Sequence, residues 1–177
     1  NIYHLVNKSR MTTILLLGDQ RVGKSSWLKR FTNEEYHDSY IATIGTQAKE
    51  VYYKKRLLKI IDIGGYERYH NILSYLSIHS ADGAILFYDV SKEKSFERIS
   101  YWKNKLPKDT PYVIVGNKSD LLSTNEHMSC KENINIKHPV DLLIKEMSLP
   151  EDPPTILTQL LEYFFYWLPT IRLSIST

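Results

Sequence analysis

Eight consecutive residues, Gly18-Asp19-Gln20-Arg21-Val22-Gly23-Lys24-Ser25, carry the pattern G-x-x-x-x-G-K-[ST], which suits a loop that wraps a phosphate chain. The glycines let backbone N–H groups turn inward around phosphate oxygens, and a helix starting behind the loop adds its positive N-terminal end. Lys24 would give a point charge to the outer phosphates and Ser25 an oxygen to Mg²⁺, with Gln20, Arg21, Val22, Gly23 and Ser26 completing the cradle. Several nucleotide-binding classes share such a loop, so contacts to the base must decide among them.

Asn117-Lys118-Ser119-Asp120 offers that contact. An Asp carboxylate accepts hydrogen bonds from the ring N–H and the exocyclic amino group of guanine, and adenine presents neither donor. A site built for those bonds rejects the analogue, because its acceptor would be left buried and unpaired. Alone, N-K-x-D also reads as a polar turn after a strand; behind a phosphate loop it points to guanine.

Elements must place both motifs at one edge. Residues 12–17 form a continuous apolar run ended by Gly18, as expected of a strand buried on both faces of a parallel sheet. Lys24 to Phe31 sets Trp27, Leu28 and Phe31 at helical spacing. Residues 50–55 and 57–61 flank Lys55-Arg56 and predict a hairpin. The runs 84–88 and 112–115 read as central strands, each followed by a polar residue, Asp89 and Asn117. Between them Phe96, Ile99, Trp102 and Leu106 predict one amphipathic helix over 95–106. Val140 to Ile144 is a weaker strand candidate, and the apolar stripe 156–168, ended by Pro169, predicts a closing helix. The polar stretch 121–138 lacks the periodicity of the helix expected between the last two strands. Alternating strands and helices predict an α/β fold with a mostly parallel six-stranded sheet and helices on both faces.

With 177 residues, 42% of them hydrophobic and 24% charged, one folded domain is expected, and disorder is not indicated. A net charge of +3, with the basic residues dispersed, makes no case for nucleic acid. The single Cys130 cannot form an internal disulfide and fits a reducing, cytoplasmic setting. No stretch approaches the roughly 18 apolar residues of a spanning helix. Residues 1–10 read as a leader or N-terminal extension, 11–170 as the folded domain and 171–177 as a tail.

The chain resembles the Ras superfamily, and within it the Rab branch, over residues 12–120 with fading similarity to Leu168. Beside the two motifs, the resemblance rests on Tyr40-Ile41-Ala42-Thr43-Ile44-Gly45 as switch I and Asp62-Ile63-Gly64-Gly65-Tyr66-Glu67-Arg68-Tyr69 as a divergent switch II. Residues 85–90 with Ser95-Phe96 match the segment after it. It implies the P-loop GTPase fold (G domain) and a GTP/GDP switch serving vesicle trafficking. It further implies that Thr43 binds Mg²⁺ and the γ-phosphate, that Asp62 holds Mg²⁺ through water, and that the Gly65 amide senses the γ-phosphate. The catalytic set would then be Lys24, Thr43, Gly65 and Tyr66. Tyr36 matches the aromatic that covers guanine, Tyr40 belongs to the nucleotide-facing loop, and Ser148 within Glu146-Met147-Ser148-Leu149 is aligned with the E-x-S-A loop. Exchange factors, GTPase-activating proteins and effectors would read loops 36–48 and 62–76, at the cytoplasmic face of membranes.

The sequence departs from the family where hydrolysis is decided. Tyr66 stands in place of the water-orienting glutamine, and a Tyr hydroxyl sits at the end of a longer, rigid ring. Gln20 and Arg21 replace two glycines, where side chains crowd the path of an arginine finger. Gly64 replaces an alanine, and Ala48 and Ile61 replace aromatic effector positions. Slow intrinsic hydrolysis follows as an expectation, with a hydrolysis-deficient, constitutively GTP-bound binding module as the alternative. The sequence ends without the prenylated cysteines that carry Rab proteins to membranes, so membrane association is expected only through a lipidated tail beyond these residues. Frequent Ile, Asn, Lys and Tyr suit an AT-rich coding genome such as that of a protist or a large virus.

Overall fold

The computed structural model describes residues 11–37, 39–65, 72–121 and 128–147, the side chains of 72–74 and 76 excepted. Strand β1 (Thr12–Gly18) lies at the centre of a five-stranded sheet. Helix α1 (Lys24–Phe31) follows, then the hairpin β2 (Thr46–Tyr53) and β3 (Arg56–Ile63). Lys54 and Lys55 turn that hairpin at φ 45° and 60°, the left-handed pair that a two-residue turn between twisted strands requires. Helix α2 (Ile72–His79), β4 (Gly83–Asp89), short helices α3 (Glu93–Glu97) and α4 (Ile99–Lys103), β5 (Tyr112–Asn117) and α5 (His138–Glu146) complete the order.

The strand order is β2-β3-β1-β4-β5, with β2 antiparallel and the other neighbours parallel. Parallel β1, β3, β4 and β5 therefore bring Gly18, Asp62, Asp89 and Asn117 to one edge, where open α/β sheets take ligands. Alternation along β1 sends Ile14 and Leu16 to one face, with Trp27, Leu28 and Phe31 of α1 and Val140, Leu143 and Ile144 of α5. Leu15 and Leu17 go to the other, with Ile78, Ile99 and Trp102. Each fully buried aliphatic side chain contributes about 1.5–3 kcal/mol, so the two layers fix the strand ends that carry the site.

Several elements differ from the sequence reading. Val140–Ile144 is helical: Val140, Leu143 and Ile144 are buried while Leu142 is 42% exposed, a helical spacing that the apolar run concealed. The single helix expected over 95–106 is two, meeting at Arg98; Ile99, Trp102 and Leu106 are buried, but Phe96 is exposed against Tyr88. Helix α2 had no counterpart in the reading. Five strands are found among the described residues in place of six, and the outer edge of β5 carries only an isolated bridge from Asn117 to Met128. Residues 128–137 form bridges and turns, so among the described residues no helix lies between the short 3₁₀ turn Ser119–Leu121 and α5. The closing helix over 156–168 falls outside the described residues. Among those described, no helix is long and apolar enough to cross a membrane.

Candidate functional site

A cavity of about 530 Å³ runs along the carboxyl edge of the sheet, lined at one end by Gln20, Lys24 and Gly65 and at the other by Asn117, Asp120 and Lys131. The phosphate loop connects β1 to α1. Gly18 and Gly23 take φ of 140° and 97°, and a Cβ on Gly18 would fall 2.3 Å from the Phe87 carbonyl oxygen, so glycine there is a steric requirement. Lys24 bends back over the loop, its Nζ donating to the carbonyl oxygens of Gly18 at 2.7 Å and Asp19 at 2.9 Å. Burial lowers its pKa to about 8 despite the nearby Asp62 and Asp19 carboxylates. An anion placed in the loop would supply the countercharge that this buried ammonium calls for.

Next to Lys24, three oxygens from three elements converge. Ser25 Oγ donates to Asp62 Oδ2 at 2.5 Å and lies 2.9 Å from Thr43 Oγ1, which itself donates to Asp62 Oδ2 at 3.3 Å. Asp62 is fully buried, and burial raises its pKa although Lys24, Ser25 and Thr43 favour the charged form. Its Oδ1 is buried with no hydrogen-bond partner among the described residues. Two hydroxyls and a carboxylate with a spare oxygen are a hard-donor set that fits a divalent cation such as Mg²⁺. Gly65 completes this end: a Cβ there would lie 2.2 Å from the Gln20 nitrogen, so the backbone of residue 65 packs directly on the phosphate loop.

At the other end Asn117 is a strut. Its Nδ2 donates to the Val22 carbonyl at 2.8 Å, and its Oδ1 accepts from the Cys130 amide at 3.2 Å. Lys118, at φ 70°, donates to Asp89 Oδ2 at 2.7 Å. Burial pushes the Asp89 carboxyl up, but hydrogen bonds from Lys118 and Ser91 outweigh it and hold the pKa below the usual range. Asp120 Oδ1 accepts from Ser129 Oγ at 2.6 Å, which fixes the carboxylate at the cavity wall.

The cavity also includes Lys29, Cys130 and Lys131, which the sequence reading did not select, and Arg30 holds the last two from outside the lining. Arg30 of α1 donates to the carbonyls of Cys130 at 2.9 Å and Lys131 at 3.0 Å, and its guanidinium stacks 4.6 Å from the Tyr36 ring centroid. Cys130 and Lys131 thus line the cavity at its Asp120 end, where the sequence reading had expected residues 146–149. Ser148 lies outside the described residues. Met147 directly before it packs against Gly83, at the far end of β4, about 20 Å along the strand from Asp89. Ser129-Cys130-Lys131 carried no signal in the sequence, since it lies in the polar stretch 121–138 that lacks the periodicity of the expected helix. Of the other selected residues, Gln20, Arg21, Gly23, Ser25, Ser26, Tyr36, Tyr40, Thr43 and Lys118 all line the cavity. Val22 faces the core, and Tyr66 lies outside the described residues.

This architecture has counterparts. The sequence model described as the Ras family matches residues 13–150. The chain belongs to the Ras family, in its Rab-like branch. The Ypt/Rab-type GTPase avaA of Emericella nidulans is 35% identical over 136 residues, covering 70% of this chain and 66% of the relative. Rab7 of Pisum sativum is 30% identical over 166 residues, covering 75% and 80%. The GTP-binding protein YPTM2 of Zea mays is 40% identical over 116 residues, covering 61% and 57%. The match to the first and third thus spans less than two thirds of their own length. In this Rab-like chain the two ends of the cavity are joined through Asn117, which bonds to Val22 on one side and Cys130 on the other.

Cys130 gives a way to read that junction. Burial pushes its thiol up to about 12, so the neutral form dominates at pH 7.5 and alkylation must await local opening. Timed iodoacetamide labelling followed by mass spectrometry is expected to run at least about tenfold slower than in denatured protein, and slower again with saturating GDP and Mg²⁺. A labelling rate equal to that of the denatured chain would contradict the packing. Because the folded thiol keeps its proton longer than the unfolded one, its contribution to stability is lost as pH rises from roughly 9 towards 12.

Proposed function

We propose that this chain is a guanine-nucleotide switch that holds GTP or GDP with Mg²⁺ along the cavity and recruits effectors through loops 36–48 and 62–76. The observation that carries the reading is one continuous cavity with buried Lys24 and the Ser25–Thr43–Asp62 oxygens at one end and Asp120 at the other. Lys24 would hold the outer phosphates, and Asp120 would select guanine by accepting its two N–H donors. Arg30 would keep Tyr36 and the 130–131 segment on either side of the base, with Ser129-Cys130 in the role of the family's S-A dipeptide. Mg²⁺, held by Ser25, Thr43 and Asp62, would neutralise charge on the β- and γ-phosphate oxygens. The γ-phosphate would draw Thr43 and the Gly65 amide inward, and its loss would release both loops. The names Rab7 and Ypt/Rab-type GTPase among the relatives support a place in membrane trafficking.

Hydrolysis is assigned as slow. Ras-type intrinsic turnover is already on the order of 10⁻⁴ to 10⁻³ s⁻¹ with glutamine orienting the water, and Tyr66 cannot offer the same donor and acceptor pair. Tyr66→Gln is expected to raise single-turnover hydrolysis about tenfold, measured as phosphate release from GTP-loaded protein. An unchanged rate in the variant would remove Tyr66 as the cause. A second reading, a binding module that stays GTP-bound, is favoured by Thr43 already lying against Ser25 and Asp62. Turnover within the lifetime of the loaded complex decides between the two.

A further inference from the structure

Switch I is fastened at both ends, by Gly64 at one and Arg21 at the other. At its C-terminal end the Gly64 amide donates to the Gly45 carbonyl at 2.9 Å, and a Cβ on residue 64 would meet the Thr43 carbonyl oxygen at 2.4 Å. The loop lies this close because residue 64 has no side chain. At its N-terminal end the Arg21 guanidinium sits 4.7 Å from the centroid of the Tyr40 ring. Arg21 takes φ 63°, a left-handed conformation that costs a side-chain-bearing residue about 1 kcal/mol or more, and it projects its side chain from the phosphate loop towards switch I. Both residues line the same cavity as Lys24 and Thr43.

We propose that Arg21 and Tyr40 form a latch inside this chain that closes switch I over the terminal phosphate and so favours the triphosphate over the diphosphate. The inference rests on the reading of the cavity as a guanine-nucleotide site. The planar face of the guanidinium stacks on the ring while its N–H edges remain available to phosphate oxygens. A phosphate at the switch I end of the cavity gains the guanidinium's charge from within the chain. The latch thereby strengthens with the charge it covers. A diphosphate, which ends one group short, leaves the pair joined without adding to it.

The test is a double-mutant cycle read by release of fluorescent nucleotides from Mg²⁺-loaded protein. Arg21→Ala and Tyr40→Ala are each expected to speed release of a non-hydrolysable GTP analogue about three- to tenfold, with GDP release changed less than about twofold. In the double variant the rate should stay close to the faster single, since either change alone opens the latch. Tyr40→Phe, which restores the ring, should release the analogue more slowly than Tyr40→Ala. Multiplying effects in the double variant, equal acceleration of GDP and analogue, or a Phe variant as fast as the Ala variant would each overturn the latch. Failure of the unmodified protein to bind either guanine nucleotide would instead overturn the reading on which it rests.

Discussion

Replacing Asp120 by Asn is expected to weaken GDP binding at least about a hundredfold, because one carboxylate oxygen that would accept a guanine N–H becomes an NH₂ donor facing a donor. Two effects act together. The lost charge-assisted bonds are the strong kind, and the buried base edge is left without acceptors. The carboxylate also accepts from Ser129 Oγ, an oxygen contact that the amide can keep, so the fold should survive the change. A nucleotide whose base carries a carbonyl in place of the exocyclic amino group should bind the variant better than GDP does. Titration calorimetry with both nucleotides checks the pair of outcomes. Equal losses for the two would mean that the variant had damaged the cavity and not the recognition.

The second large effect is expected of Gly65→Ala. A Cβ at this position would stand 2.2 Å from the Gln20 nitrogen and 2.5 Å from the Asp19 carbonyl carbon, both backbone atoms that cannot rotate away. Switch II must therefore retreat from the phosphate loop. On the proposed reading, contacts that depend on residue 65 lying against the loop would be lost for the triphosphate, whereas a diphosphate would make no use of them. Affinity for a non-hydrolysable GTP analogue should fall about tenfold or more with GDP affinity within about threefold, measured by competition against a fluorescent nucleotide. Retained preference for the triphosphate would show that residue 65 need not approach the loop.

Both predictions depend on a rigid frame meeting a movable rim. Asn117 ties the base end to Val22, and Trp27 in α1 donates its indole N–H to the Ile136 carbonyl at 2.8 Å, so the 128–136 segment is held by the same helix that carries Lys24. Asp19 accepts from Arg98 at 2.9 Å and Trp102 at 2.8 Å, which anchors the phosphate loop to α3–α4 on the other face. Switch I, by contrast, is exposed at Tyr40, Ile41 and Ile44. On the proposed reading, packed residues would set where phosphate and base go, and the exposed loop would be free to report which nucleotide is bound.

How much of this was legible in advance follows from the range of the interactions. The phosphate loop and Asn117–Asp120 are contiguous segments whose chemistry sits in adjacent residues, and the apolar runs before them are strands because a parallel sheet buries both faces. Those features, and the family, the sequence alone determined. It did not determine that Val140–Ile144 is helical, since a short apolar run has no decisive period and its packing on β4 and β5 settles the matter. It did not place Cys130 and Lys131 at the Asp120 end of the cavity, because that position is created by the bridge of Met128 to Asn117 and by Arg30, whose hydrogen bonds reach carbonyls 100 and 101 residues away in the chain. Nor could it show that Gly64 and Gly65 differ in purpose: one clears the Thr43 carbonyl and the other the phosphate loop. Local chemistry is written in neighbouring residues, whereas clearance and convergence exist only once distant segments are packed against one another.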